Sequence, residues 1–583
     1  MGCSEDGRSR RRECLRYEDQ GYEECSRRVD QGYRRCSARE WQCPDWVPDF
    51  ACDAANAVAH LVCVAWVWVS NLVCVAWTWI SRRVCVSWSY VLEIGCIIWG
   101  VVVNWLDTLF GPGDRIDVHC HFFTGNTVAI YAVAGLFDIA NRADLLEEHE
   151  NRTINPELIP PPCSDHSEEF DVVEALMKLR NFLDLAGARD STEVYQELRR
   201  TYLFKYRVVP LMIDFAYCTD EEGLSAIIRK VDEIHALLHI WLTRRAHVRT
   251  LELLGELEAI IRTLRLGLEE MRRLSGRPGF PLFVDFSGQA RRLMVVRAQY
   301  RNRIFPFLSV DPRRPGILEL VKEYVGPKKP FLGIKLYAPV GFSPTSPVLF
   351  GTDRENDCLY RYCNENAIPI TAHCSPGGFA SFANTVTVHG HIQVNEGVEI
   401  EIEGMQGPVG SDGVCEINGR VLFSTSVEQH GLDAMVAERS RTLNHPNIWR
   451  RVLEKYPELY LNLAHFGGQA DMCLYAGDNH DSGHGYIPWS SYIVELMEEY
   501  PNVYTDVACY NDSDAVGLFK NQIYDAMLSR NVKRKVMYGS DYNVLMLSES
   551  SVSDYLRDFK RIFGNEFEKI ARDNPNRFLF ERE

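Results

Sequence analysis

Two histidines one residue apart close the run Arg115-Ile116-Asp117-Val118-His119-Cys120-His121, and further residues of metal-site type follow in order. Lys335 ends Gly-Ile-Lys, His373 ends Ile-Pro-Ile-Thr-Ala-His, His465 ends Leu-Asn-Leu-Ala-His, and Asp541 ends Met-Tyr-Gly-Ser-Asp. Alternate side chains of a strand share a face, so His119 and His121 point the same way and can reach one ion. Each of these residues stands where a short apolar run gives way to a polar loop. Parallel (β/α) barrels place their chemistry there. The pattern predicts an enzyme that uses a divalent metal.

The elements that must carry these residues are readable as a βα series. Apolar runs at 115–119, 207–214, 304–310, 331–336, 367–372, 459–464, 502–507 and 535–540 make eight candidate strands. Amphipathic stretches lie between them. After Asp311-Pro312, for example, the run from Arg313 to Tyr324 has apolar residues at helical spacing. The expected fold is α/β: a (β/α)8 TIM barrel over 111–583, beginning at Gly111-Pro112-Gly113. Two stretches exceed a minimal barrel. Residues 218–280 are charged and helical in pattern and read as a helical insertion. Residues 380–442 alternate as strands do, with glycine turns, and read as a β-rich insertion. Leaving the fifth strand on the catalytic face, the second insertion is placed to form a lid or pocket wall.

Composition narrows the class. The chain has 583 residues, enough for one large barrel and an appendage, with globular values of 46% hydrophobic and 25% charged residues. A net charge of −17 argues against a nucleic-acid partner, which would want a basic face. Small-molecule chemistry is the better expectation, and barrels of this kind often pair as homo-oligomers. No apolar segment of the signal-peptide kind opens the chain, and the cysteines of the barrel half are scattered. Both point to a cytoplasmic, reducing location.

Ten of the 19 cysteines fall before residue 100, in a repeat. Cys14, Cys25 and Cys36 are eleven apart, and Cys52, Cys63, Cys74, Cys85 and Cys96 resume the spacing. Trp66, Trp77, Trp88 and Trp99 each follow a cysteine by three. Eleven residues make three helical turns at about 3.67 residues per turn, which keeps each Cys and Trp on one face. In a strand the odd period would flip them at every repeat. The chain is therefore expected to open with helical 11-residue repeats, charged over 1–51 and hydrophobic over 52–110. Ala57 to Ile80 holds no charged residue, and Val84 to Leu106 holds only Glu93. Each is long enough to cross a bilayer, which takes roughly 20 residues. Membrane association and self-association through 52–110 are the two expected roles, and either would make the barrel the cargo of an anchor.

Taken together, the barrel motifs resemble the amidohydrolase superfamily, within it the amidohydrolase-related group called amidohydrolase family 2. That group includes hydrolases and the nonoxidative decarboxylases related to aminocarboxymuconate-semialdehyde decarboxylase. The resemblance is carried by Asp-Val-His-Cys-His at 117–121, Phe-Leu-Ser-Val-Asp-Pro-Arg-Arg at 307–314 and Gly-Ile-Lys-Leu-Tyr at 333–337. It continues through Pro-Ile-Thr-Ala-His at 369–373, Leu-Asn-Leu-Ala-His-Phe-Gly-Gly at 461–468, Gly-Ser-Asp-Tyr at 539–542 and Asp-Asn-Pro-Asn-Arg-Phe-Leu at 573–579. It implies that His119, His121, His373 and Asp541 bind one divalent metal, that Asp541 doubles as proton acceptor, and that His465 faces the substrate. Lys335 is read as a substrate contact or internal ion pair rather than a carboxylated bridge between two metals. Neutral imidazoles and a carboxylate suit Zn²⁺, which lowers the pKa of bound water to about 7. The expected reaction is hydrolysis of a small amide, ester or lactone, with nonoxidative decarboxylation of an unsaturated or aromatic acid as the alternative.

Other histidine pairs share the spacing without the ordered partners. His389 and His391 fall in the second insertion, His235 and His239 lie one helical turn apart, and so do His480 and His484 if their loop is helical. They read as solvated side chains, with His480 or His484 near enough to the sixth strand to enter the pocket.

Overall fold

The computed structural model describes residues 115–582 apart from 124–132, 134–135, 137–138, 140–171, 187–190, 203–205, 245–249, 276–285, 353–356, 395–398, 402–408, 478–486, 511–512 and 548–551. The chain divides into two units, Met1–Gly111 and Pro112–Glu583, and every described residue belongs to the second. The 11-residue repeats, with the helix, membrane and self-association readings placed on them, lie outside the described residues. Among the described residues no helix is long and apolar enough to cross a membrane.

Five parallel strands come first: β1 (Arg115–Cys120), β2 (Tyr206–Pro210), β3 (Phe307–Val310), β4 (Gly333–Leu336) and β5 (Ile370–His373). An antiparallel sheet follows, formed by β6 (Thr385–Gln393), β7 (Glu399–Glu401) and β8 (Val414–Leu422). Three more parallel strands then complete the series: β9 (Leu461–Ala464), β10 (Val503–Asp506) and β11 (Val536–Met537). β1 pairs β2, and the others run β11-β10-β9-β5-β4-β3. Two seams join these pieces: Leu211 bridges Phe307, and Cys120 bridges Tyr542. The eight parallel strands thus close into a barrel, each overlapping one of the eight apolar runs of the sequence.

Register explains why polar residues interrupt these strands. Ser309 pairs with Lys335, Lys335 with Thr371, and Thr371 with Asn462. Directly paired residues project to the same face, so the four form a buried polar layer across β3, β4, β5 and β9. Below it Ile116, Val118, Val209, Leu211, Phe307 and Met537 pack with Phe578 and Leu579. The polar layer therefore sits between an apolar floor and the strand ends that bear the histidines.

The stretch read as a helical insertion holds two helices, α1 (Glu221–Arg244) and α2 (Thr250–Ser275). Leu224, Ile227, Val231, Ile234, Leu238 and Leu242 recur every three or four residues along α1 and are buried with Leu257, Ile260, Ile261, Leu264 and Leu268 of α2. The stretch read as β-rich over 380–442 is only partly strand. β6, β8 and β7 bury Val386, Val388, Ile392, Ile417 and Val421 on one face, but the chain then turns into α3 (Val427–Asn444). Ser426 begins it: its hydroxyl accepts from the Gln429 N–H at 3.3 Å, the Ser-x-x-Gln start of a capping box.

His445 caps the next helix, α4 (Pro446–Lys455), its Nδ1 accepting from the Asn447 N–H at 3.2 Å. The ring is flanked by Trp489 and Tyr492 at 5.4 and 5.0 Å. Burial, helped by the Arg441 guanidinium, pushes this imidazole down to about 3. The unfolded chain takes up the proton near pH 6.5 while the native cap refuses it, so stability is lost as the pH falls from 6.5 toward 3. The expected slope is up to about 1.4 kcal/mol per pH unit. His445→Asn keeps a capping oxygen and should flatten that slope in urea titrations at pH 7, 5.5 and 4.5. An unchanged slope would place the acid sensitivity elsewhere.

Cys120, Cys218, Cys358, Cys363, Cys374 and Cys415 are buried thiols.

Candidate metal centre

Barrel closure assembles the centre from the first and last strands. Asp117 on β1 accepts from Ser540 N at 3.0 Å, Ser540 Oγ at 2.6 Å and Tyr202 Oη at 2.6 Å. This ties β1 to the turn after β11. The Asp541 N–H donates to the His119 carbonyl at 2.7 Å, and Gly539 lies so near that an added Cβ would stand 2.7 Å from that of His119. A glycine is needed there for close approach.

Each imidazole has one nitrogen committed. His121 Nδ1 meets the Leu211 carbonyl at 2.7 Å, and His119 Nδ1 meets Asp506 Oδ2 at 3.1 Å. Carbonyls and carboxylates only accept, so both rings carry the proton on Nδ1 and keep the Nε2 lone pair. These Nε2 atoms lie 3.1 Å (His121) and 3.5 Å (His119) from Asp541 Oδ1. His119, His121 and Asp541 each offer a ligand atom, all within 4.8 Å of one another, and so do His119, His465 and Asp506. His119 Nε2 and Asp541 Oδ1 are buried without a hydrogen-bond partner.

Electrostatics put these groups in the forms a cation needs. Burial pushes His119 down to about 4 and lowers His121 and His373 as well, so the rings are neutral. Burial alone would raise the carboxyls of Asp506 and Asp541, but the surrounding imidazoles and hydrogen bonds hold both well below the usual range. Neutral imidazoles, an ionised carboxylate and two orphaned ligand atoms fit a divalent cation.

His465 stands beside this group, its ring 4.6 Å from that of His119 and 4.9 Å from that of His373. Its Nδ1 reaches the Ala508 carbonyl at 3.3 Å, leaving Nε2 to handle protons. The backbone is left-handed for four successive residues, His465 (φ 68), Phe466 (φ 49), Gly467 (φ 85) and Gly468 (φ 90). Asp541 (φ 55) is left-handed too. Such conformations cost about 1–3 kcal/mol each outside glycine and gather where function fixes geometry.

Two expected residues stand apart from both ligand groups. His373 turns Nε2 to the Gly377 carbonyl at 2.9 Å and stacks on Tyr337 at 4.3 Å, so its free lone pair is on Nδ1. The loop after β5 draws the ring aside. Lys335 is completely buried, with no hydrogen bond to Nζ and the Tyr337 ring 5.7 Å away. Burial lowers its ammonium to about 8, against the pull of Asp506 and Asp541. The reading of Lys335 as one arm of an internal ion pair is not realised at contact distance.

Sequence reasoning missed Asp506, although it closes Val-Tyr-Thr-Asp within the seventh apolar run. The Asp-Pro-Arg-Arg motif shapes the rim. Arg313 pairs with Asp311 at 2.6 Å and reaches the Val340 and Gly341 carbonyls, while Arg314 pairs with Asp214 at 2.7 Å. His389 bonds Asn418 and His391 bonds Thr345, so both serve the inserted sheet. His235 pairs with Glu258 between α1 and α2. His480 and His484 lie outside the described residues.

The family described as Amidohydrolase matches residues 284–580, a span that holds Lys335, His373, His465, Asp506 and Asp541 but begins after β1. No curated protein matches the chain. Among solved structures, 5-carboxyvanillate decarboxylase from Novosphingobium aromaticivorans with bound manganese is similar at 13% identity and a TM-score of 0.38, over 80% of this chain and 96% of that one. A dihydroxybenzoic acid decarboxylase from Polaromonas is similar at 12% and 0.34, over 80% and 97%. A probable 2-pyrone-4,6-dicarboxylic acid hydrolase from Acinetobacter baumannii is similar at 11% and 0.30, over 80% and 99%. With half its length matched and the matched strands bearing the ordered histidine and aspartate, the chain belongs to the amidohydrolase family of metal-dependent enzymes.

Proposed function

We propose that the barrel performs nonoxidative decarboxylation of a small unsaturated or aromatic acid, with one divalent metal held by His119, His121 and Asp541. His373 would join them by exchanging its bond to Gly377. The observation that carries this reading is Lys335, a buried cation within the polar layer with no hydrogen-bond partner. A substrate carboxylate would satisfy it, whereas a neutral amide or lactone would leave it unpaired at a cost.

When bound, a divalent ion supplies Lewis-acid polarisation of substrate oxygens; zinc remains the ion these donors favour. Lys335 anchors the carboxylate and Tyr337 lines the wall beside it. As the bond from carboxylate to carbon breaks, carbon dioxide leaves with the carboxylate oxygens. The electron pair left on carbon takes a proton from His465, which is recharged from solvent.

Hydrolysis is the second reading, favoured by Asp541, a buried carboxylate beside the ligand histidines that would accept a proton from water. Metal-loaded protein should be screened in ¹⁸O-labelled water against aromatic acids, lactones and amides. Carbon dioxide release with no label in the organic product is expected. Label entering an amide or lactone product, without carbon dioxide, would overturn decarboxylation in favour of hydrolysis.

The repeats over 52–110 are assigned to membrane attachment or self-association on their apolar 11-residue period alone. Deleting residues 1–110 should release the barrel as a smaller, freely soluble species. The same sedimentation and membrane partition with and without them would remove that role.

A further inference from the structure

We propose that Asp506 is a positioning residue that fixes the tautomer of His119 and the backbone of His465 at once, an inference that rests on the metal reading above. Asp506 ends β10 and is completely buried. Its Oδ2 accepts from His119 Nδ1 at 3.1 Å and from Asn462 Nδ2 at 2.7 Å, and its Oδ1 accepts from the His465 N–H at 3.1 Å. Three strands, β1, β9 and β10, therefore meet on one carboxylate.

The consequence for His119 follows from donor and acceptor counting. An ionised carboxylate has no proton to give, so the ring nitrogen facing it must be the protonated one. The lone pair is thereby assigned to Nε2, the atom that lies near Asp541 without a hydrogen bond of its own. The opposite tautomer would set a lone pair against a carboxylate and present a proton where a cation belongs. Outer carboxylates of this kind orient a ligand imidazole and raise its basicity.

The consequence for His465 is conformational. Its φ of 68 is held in part by an N–H that points into Asp506, so the turn which places this imidazole beside His119 depends on the same group. Metal-side and substrate-side histidines share one support. Asn462, from the polar layer, completes that support and links it to Thr371 at 3.4 Å.

The test has one part that needs no variant. In metal-free wild-type protein with ring-¹⁵N histidine, assigned by comparison with His119→Asn, His119 should show a protonated Nδ1 and an unprotonated Nε2. A proton on Nε2 overturns the proposal. The second part uses Asp506→Leu, which keeps the volume and removes all acceptors. Competition titration with Zn²⁺ should show affinity about 10–100-fold weaker. Wild-type affinity in the folded variant overturns the proposal alone. A wild-type protein that takes up no Zn²⁺ overturns the metal reading, and the proposal with it.

Discussion

Replacing His119 and His121 together by alanine should abolish metal binding and reduce turnover by on the order of a thousandfold or more. Both rings offer Nε2 to the space beside Asp541 Oδ1, and each is pre-oriented by an acceptor on Nδ1. Removing one leaves the other with Asp541, so residual binding would blur the result; removing both leaves Asp541 without either of its imidazole neighbours from β1. Metal assistance is worth several kcal/mol of transition-state stabilisation, and each 1.36 kcal/mol is about tenfold in rate. Elemental analysis of protein purified without chelator should give about one divalent ion per wild-type chain and none in the variant. Circular dichroism should confirm that the barrel persists, since Asp117 and the seam to Tyr542 are untouched. Equal metal content in both proteins would place the ion somewhere other than this centre.

The largest stability effect is expected at Arg439, on α3 of the inserted segment. It is completely buried, paired with Glu438 at 2.9 Å, and it donates to the Ser381 carbonyl at 3.1 Å and Thr425 Oγ1 at 2.6 Å, with the Phe423 ring 4.4 Å from its guanidinium carbon. Glu438 in turn accepts from Ser424 N at 2.8 Å and Thr425 N at 2.9 Å. Arg439→Met keeps much of the volume but strands the Glu438 charge. Breaking a buried pair from one side typically costs about 3–5 kcal/mol. Glu438→Gln with Arg439→Met should recover part of that loss, because no unpaired charge remains. The readout is the urea midpoint of metal-free protein. A shift worth under about 1 kcal/mol would mean that the backbone and hydroxyl donors of Ser424 and Thr425 suffice to satisfy Glu438. The carbonyl of Ser381 belongs to the loop that runs from His373 into β6, so the variant should also loosen the loop around Gly377.

The strands were legible because each is a buried run ended by a polar residue, a pattern that survives without neighbours. His119, His121 and Asp541 were legible for the same reason: each marks such an end, and barrel closure brings the first and last of them together. His373 is different. Its place on β5 follows from local sequence, but its ring orientation is set by Gly377 and Tyr337, contacts that no period encodes. Asp506 was hidden by ordinariness, since an aspartate at the end of a strand more often starts a loop than supports a histidine. α3 was misread because alternation over β6 and β8 carried past Ser426, whose Gln429 partner marks a helix start. Lys335 shows a limit of residue type. Its position near the end of a strand was readable; its lack of a carboxylate at contact distance is a property of the packed barrel.

The seam between the first and last strands also sets a timetable. His119 and His121 leave the ribosome long before Gly539 and Asp541, which belong to the last strand of the barrel and the turn after it. Until then the two histidines have neither their carboxylate companion nor the neighbour that presses on His119. A nascent chain therefore cannot assemble the full ligand set midway, and any ion it meets is offered two imidazoles at most from that strand. Occupancy of the finished centre becomes a report that the whole barrel has been made and joined end to end.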